Sequence, residues 1–251
     1  LKRFPMSYEA GAWQFPMNAL ERASAGNSRL LMLCNPFNPI GRTLTRTELE
    51  SIVDISVQND LIICSDEIHC DLVLDGRPHI PTASISEAAA ERTITLMAPS
   101  KTFNLAGLGG SFAIIQNPLL REQFEAPRAG LVGNVNLLGY TAMQAAYADC
   151  EEWRQELLRY LEGNRDYLSN AIENISGIHM SPQESTYLAW LNVAELGLND
   201  PPEFFEQKGL GMSPGEQFGD TRFMRLNFGC PRVQLERAVA RLEAAVSSAK
   251  H

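Results

Sequence analysis

The chain has 251 residues, of which 45% are hydrophobic and 20% charged, with 18 glycines and 14 prolines. This is ordinary globular composition and excludes a disordered, collagen-like or disulfide-scaffold chain. At about 150 residues per domain, the length suits one large domain or two modest ones. A net charge of −9 argues against binders of nucleic acid or anionic membranes, which need a basic surface.

The chain opens at Leu1 with no initiator Met and no signal-peptide core, so the natural chain is expected to be longer. Met17–Ala23 is helix-like. Leu30–Cys34 is a short apolar run ended by Asn35-Pro36, the pattern of a buried strand meeting a loop. Thr45 and Glu48 form a T-x-x-E capping box, and Leu49, Ile52, Val53 and Val57 follow at helical spacing. Leu61–Ser65 is a second buried strand, ending at Asp66, and Thr93–Met97 and Ser111–Ile115 are two more. Nearly continuous apolar strands separated by a helix predict a parallel sheet covered on both faces.

From about Leu137 the pattern changes. Trp153, Leu157, Leu161, Leu168, Ile172 and Ile175 share one helical face and predict a single long helix, stopped near Gly177, that bridges two domains. Short strands at Tyr187–Leu191 and Phe223–Asn227 follow. A closing helix carries Leu235, Val239, Leu242 and Val246 on one face. The expected organisation is a large α/β domain over residues 1–160 and a smaller α+β domain over 161–251. The uncharged stretches Thr102–Leu120 and Ala129–Ala148 are broken by Gly, Asn and Gln, and neither predicts a membrane span. Cys34, Cys64, Cys70, Cys150 and Cys230 are odd in number with no CxxC pair, the usage of reduced thiols in the cytoplasm.

In open α/β sheets, ligands bind beyond the carboxyl ends of the strands. Three polar clusters fall there: Asn35–Arg42, Ser65–His69 and Ala98–Asn104. Arg225, on a small-domain strand, is a fourth candidate. Singly, each has an ordinary structural explanation: Asn-Pro turns, a strand-end Asp capping a helix, a solvated Lys, an Arg in a surface ion pair. Their recurrence at consecutive strand ends points to a site.

The series N-P-F-N-P-I-G-R, S-D-E-I-H, S-K-T-F-N-L-A-G-L and R-L-N-F-G-C-P-R resembles the fold-type-I pyridoxal-phosphate enzymes. Within them it is most similar to the cystathionine β-lyase-like C–S lyases related to class I/II aminotransferases, and Ser185–Trp190 also resembles that subgroup. The resemblance implies the aspartate aminotransferase fold, a mainly parallel sheet flanked by helices plus a smaller α+β C-terminal domain, with pyridoxal 5'-phosphate (PLP) as cofactor and a homodimer as assembly. Lys101 matches the Schiff-base lysine, whose amine can also act as general base at Cα. Asp66 matches the carboxylate that pairs with the pyridine nitrogen and keeps the ring an electron sink. Ile68 would pack on the ring face, Asn38 would bond the ring hydroxyl, and His69 lies near that oxygen. Ser100 would touch the phosphate. Arg225 matches the arginine that grips the substrate α-carboxylate through a bidentate fork.

Aminotransferases usually carry a phosphate-binding Arg eight residues after the lysine. Here that position is Gly109, a change the lyase subgroup shares. Ile40 replaces the usual Thr or Val, a packing variation. The resemblance also implies a preceding segment with a glycine-rich phosphate turn and a ring-stacking aromatic, so that residues 1–29 correspond to the middle of a family chain. The expected activity is α,β-elimination from cystathionine or S-substituted cysteines, giving a thiol, pyruvate and ammonia. Transamination is the nearest alternative, and a non-catalytic aminotransferase-like module is another. A metal hydrolase on Asp66, Glu67, His69 and Asp71 is a third, opposed by strand alternation and by the distance in sequence to His79, His179 and His251.

Overall fold

The computed structural model describes residues 1–9 and 11–249, so His251 lies outside the described residues. In chain order the regular elements are β1 (Ser7–Glu9), β2 (Ala12–Gln14), α1 (Met17–Ser24), β3 (Leu30–Cys34), α2 (Arg46–Gln58), β4 (Ile62–Asp66), α3 (Glu87–Arg92), β5 (Thr93–Met97), β6 (Phe112–Ile114), α4 (Pro118–Glu125) and α5 (Leu137–Asp149). They continue with α6 (Glu151–Glu173), β7 (His179–Met180), β8 (Leu188–Asn192), α7 (Pro201–Gln207), β9 (Ser213–Pro214), β10 (Phe223–Asn227) and α8 (Arg232–Ala249).

The chain divides into two compact units. Among the described residues, the first comprises 1–9, 13–36 and 43–155, the second 11–12, 37–42 and 156–249. The division falls inside α6. The short stretch 37–42, which carries Asn38, groups with the second unit.

The first unit is built on a four-stranded sheet in the order β3-β4-β5-β6. β3, β4 and β5 are parallel, in register Leu31 to Ile63 and Cys64 to Ile94. β6 runs antiparallel to β5, with Ala113 opposite Leu96, so the sheet is mixed at that edge rather than wholly parallel. Leu31, Leu33, Leu49, Ile52, Leu61 and Ile63 form its core, with Leu20 of α1. Each fully buried aliphatic side chain contributes about 1.5–3 kcal/mol. The expectation of cover on both faces does not hold at β3. Alternation turns Leu31 and Leu33 inward, while Leu30 (53% exposed) and Met32 (70%) face outward. β3 is the edge strand of the sheet, and these outward side chains stay largely open. The capping box forms at α2: Glu48 N donates to Thr45 Oγ1, and Thr45 N donates to Glu48 Oε2.

The second unit holds an antiparallel sheet in the order β7-β8-β10-β9 and the closing helix α8, which buries Leu235, Val239, Leu242 and Val246. α6 matches the predicted long helix, with Leu161, Leu168 and Ile172 buried. Ile175 lies past its end, and Trp153 at its start is half exposed. β8 begins one residue later than predicted because Thr186 stands in the left-handed region at φ 65°, which breaks the extended run.

Candidate functional site

In the first unit the chemistry gathers where β4 and β5 end. Asp66, the last residue of β4, lines a cavity of about 600 Å³ together with Ile68, Ser111, Arg121, Arg128 and Tyr140. Its Oδ1 accepts a hydrogen bond from Ile68 N at 3.2 Å. Burial pushes the Asp66 carboxyl above the ordinary carboxylate range; the Ile68 bond and the Lys101 charge pull it back, and Glu67 pushes it up further. Lys101 follows β5 in a tight turn, where Phe103 N donates to Pro99 O and Leu105 N donates to Ser100 O. Asn104 takes the left-handed conformation that this turn requires. An aromatic group holds the turn from behind: Phe103 stacks on Trp153 and meets Tyr147 edge-on, both at 5.9 Å between centroids. His69 is buried, and its carbonyl caps the short turn over 70–72.

In the second unit, β10 presents Arg225. Its Nη1 donates to Asn38 Oδ1 at 2.9 Å and its Nη2 donates to Ser213 Oγ at 3.1 Å. The guanidinium lies 4.6 Å from the centroid of the Phe218 ring, a cation–π seat. The Asn38 turn is docked through Gly41, whose carbonyl accepts from Glu184 N and Ser185 N at 2.8 and 2.9 Å. Gly41 has φ 66°, and a Cβ there would stand 1.9 Å from Gln183 Nε2, so only glycine permits this approach. Gln183 Nε2 in turn donates to Thr186 Oγ1 at 3.0 Å. A buried, β-branched residue at positive φ is the kind of local strain that clusters at functional sites.

Residues 1–242 match the sequence model of the family described as aminotransferase class I and II. The chain belongs to the aminotransferase class I and II family. It is 36% identical to cystathionine beta-lyase PatB of Bacillus subtilis (strain 168) over 97% of this chain and 65% of that protein. It is 32% identical to protein MalY of Escherichia coli (strain K12), over 96% and 64%. The chain thus spans a little under two thirds of the length of these relatives. Among solved structures, OvoB superposes with a TM-score of 0.93 at 46% identity, over 97% of this chain and 64% of that one. Cystalysin from Treponema denticola, whose crystal contains a pyridoxal 5'-phosphate cofactor, superposes with a TM-score of 0.92 at 33% identity, over the same shares of the two chains. The α/β aminotransferase fold is therefore established for this chain.

The structure sorts the predicted residues of this family member into two groups. Asp66, Ile68, His69, Ser100 and Lys101 stand at the strand ends of the first unit, while Asn38 and Arg225 are bonded to each other in the second. Trp190, in the stretch Ser185–Trp190 that resembles the lyase subgroup, is a core aromatic: it is 2% exposed and stacked on Phe223 at 5.0 Å. Gly109 sits at φ 64° with open space around it, so an arginine there would carry backbone strain, a physical reason for its absence. Among the described residues no cluster of three His, Cys, Asp or Glu is placed to hold a metal ion. Sequence reasoning missed Arg121 and Arg128, which face the Asp66 cavity from α4 and the turn after it; their spacing of seven on one helical path was the available signal. It also missed Ser213 and Phe218 as the seat of Arg225. Ser-Pro-Gly at 213–215 marks a turn but says nothing of a partner.

Proposed function

We propose that this protein is a PLP-dependent carbon–sulfur lyase that converts cystathionine or S-substituted cysteines, with water, to a thiol, pyruvate and ammonia. The observation that carries the reading is the placement of Asp66 at the end of β4, on the cavity, and of Lys101 in the turn just past the end of its parallel neighbour β5, where the lysine charge lowers the Asp66 carboxyl against its burial. The donor set fits the cofactor: a half-buried carboxylate for the pyridine nitrogen, a lysine amine for the carbonyl carbon, Ile68 for the ring face and Ser100 for the phosphate. Asn38 would bond the ring hydroxyl, with His69 near it. When bound, PLP supplies an electron sink for the negative charge developed at the substrate Cα.

The protein's residues do the rest. Arg225 binds the substrate α-carboxylate with a fork that Asn38, Ser213 and Phe218 hold in a fixed plane. The Lys101 amine takes the Cα proton. Loss of the Cβ–S bond then releases the thiolate, and water replaces nitrogen at the former Cα to give pyruvate and ammonia. Transamination shares the proton removal; Gly109 and the C–S lyases among the relatives favour elimination. The decisive experiment is pyruvate release from cystathionine by the PLP-supplied protein without added keto acid, repeated with Lys101→Ala. Turnover that depends strictly on a keto acid refutes the lyase reading.

A homodimer fits the exposed apolar residues Leu131 (85% exposed), Leu137 (78%) and Leu138 (69%), which a second copy would cover. The free cysteines fit the cytoplasm. Among the described residues no helix is long and apolar enough to cross a membrane.

A further inference from the structure

Next to Asp66 lies a second carboxylate that the proposed chemistry does not use. Glu67 is 1% exposed. Its backbone N–H continues the sheet ladder by donating to Leu96 O at 3.0 Å, so alternation sends its side chain to the face opposite Asp66. There Oε1 accepts from Ser65 Oγ at 2.9 Å and from Thr82 N at 3.0 Å, and Oε2 bonds His79 Nε2 at 2.7 Å. Ser65 and Thr82 are fully buried, with their hydroxyls 3.0 Å apart. His79 Nδ1 is buried without a hydrogen-bond partner, which favours the tautomer carrying its proton on Nε2, aimed at Glu67.

A buried carboxylate is costly, and apolar side chains often replace such groups without loss of stability. Its three partners come from two segments, the end of β4 and the loop over 79–82. Together they fix the peptide between Asp66 and Glu67 against rotation. The same peptide aims Asp66 into its cavity, and the Ile68 N–H that bonds Asp66 Oδ1 lies one residue further on. We propose that Glu67 is a positioning residue: its bonds to Ser65, Thr82 and His79 hold the strand end so that the Asp66 carboxylate keeps a single orientation toward the cavity. This rests on the role assigned to Asp66 under the lyase reading, yet the orientation itself is a property of the cofactor-free chain.

The test is therefore read first without PLP, by amide exchange and carboxyl NMR on the labelled chain. In Glu67→Ala, exchange of the Ile68 amide rises about tenfold, the effect of one lost hydrogen bond, while the Ile63 amide in mid-β4 is unchanged. Glu67→Gln retains an acceptor for Ser65 and Thr82, and restores Ile68 to within about threefold of the parent. His79→Ala, which removes one of the three bonds, gives an intermediate rise and serves where Glu67→Ala does not fold. PLP affinity, followed by its visible band, falls in the same order. Equal Ile68 exchange in the parent, Glu67→Ala and His79→Ala overturns the proposal, as does a rise spread evenly over β4 and β5. Failure of the parent to bind PLP, with the exchange pattern intact, refutes the cofactor reading and leaves the positioning role standing.

Discussion

Arg225→Lys isolates the fork geometry from the charge. In the parent, Nη1 and Nη2 each hold one protein partner, Asn38 Oδ1 and Ser213 Oγ, and a guanidinium with five N–H donors retains enough to grip a carboxylate with both nitrogens. Each charge-assisted bond contributes about 1.5–3 kcal/mol. Lysine keeps the positive charge but offers a single point of attachment, so one such bond is lost. At 1.4 kcal/mol per decade, substrate affinity falls roughly 10- to 150-fold. The loss is uniform along the reaction, because the carboxylate is held from binding onward. KM for an S-substituted cysteine therefore rises by that factor while kcat changes much less. The decarboxylated amine analogue of the substrate, which lacks the gripped group, binds parent and variant alike. An unchanged KM in Arg225→Lys, or an equal loss with the analogue, refutes the assignment of Arg225 to the carboxylate.

Gly41→Ala places a Cβ at a left-handed φ and 1.9 Å from the buried Gln183 amide. The backbone penalty of about 1–2 kcal/mol and the displaced Gln183–Thr186 bond of about 1 kcal/mol lower stability by about 2–3 kcal/mol, measured by urea unfolding; a loss below the backbone penalty would show that the turn is not clamped. Asp66→Asn reports the raised Asp66 pKa. Burial gives the folded state more bound protons than the unfolded state, so in the cofactor-free parent stability falls as pH rises from the unfolded carboxyl value through the folded one. Asp66→Asn removes that slope and melts higher than the parent at neutral pH, and an equal or lower melting point contradicts the assigned burial. Thr45→Ala removes the acceptor at the α2 capping box and costs about 1 kcal/mol, checked by the same urea unfolding.

How far the sequence reached depended on whether a feature was local. The strands β3 and β5 were legible residue for residue because short apolar runs ended by Asn-Pro or Ala-Pro leave little choice of boundary. The α2 start was legible because both halves of its capping box lie within four residues. α4 and α5 were not anticipated: Leu119, Leu137, Leu138 and Tyr140 are exposed, so their apolar residues do not mark one buried face. The antiparallel turn of β6 was equally hidden, since a three-residue strand carries no signal of direction. The open face of β3 contradicted the pattern itself, because an apolar run records what a strand prefers to contact and not what does cover it.

The candidate site shows the same division more sharply. Asp66 and Lys101 stood out as candidates because Asp66 ends β4 and Lys101 lies in the turn just after β5, and strand ends in such sheets are where ligands are met. The bond between Asn38 and Arg225 spans 187 residues of sequence, and no spacing rule reaches that far. Glu67 stood out only beside Asp66, in the S-D-E-I-H cluster and in the metal-hydrolase alternative. In S-D-E-I-H the eye goes to the Asp because one carboxylate is enough for the chemistry, and alternation alone says that the Glu must point the other way. What alternation could not say is that a serine two residues back, a histidine and a threonine would meet it there. Under the proposed positioning role, the second acid holds the strand end that carries the first. The Ile68 amide is where that holding becomes measurable, because it bonds the carboxylate whose direction is at stake.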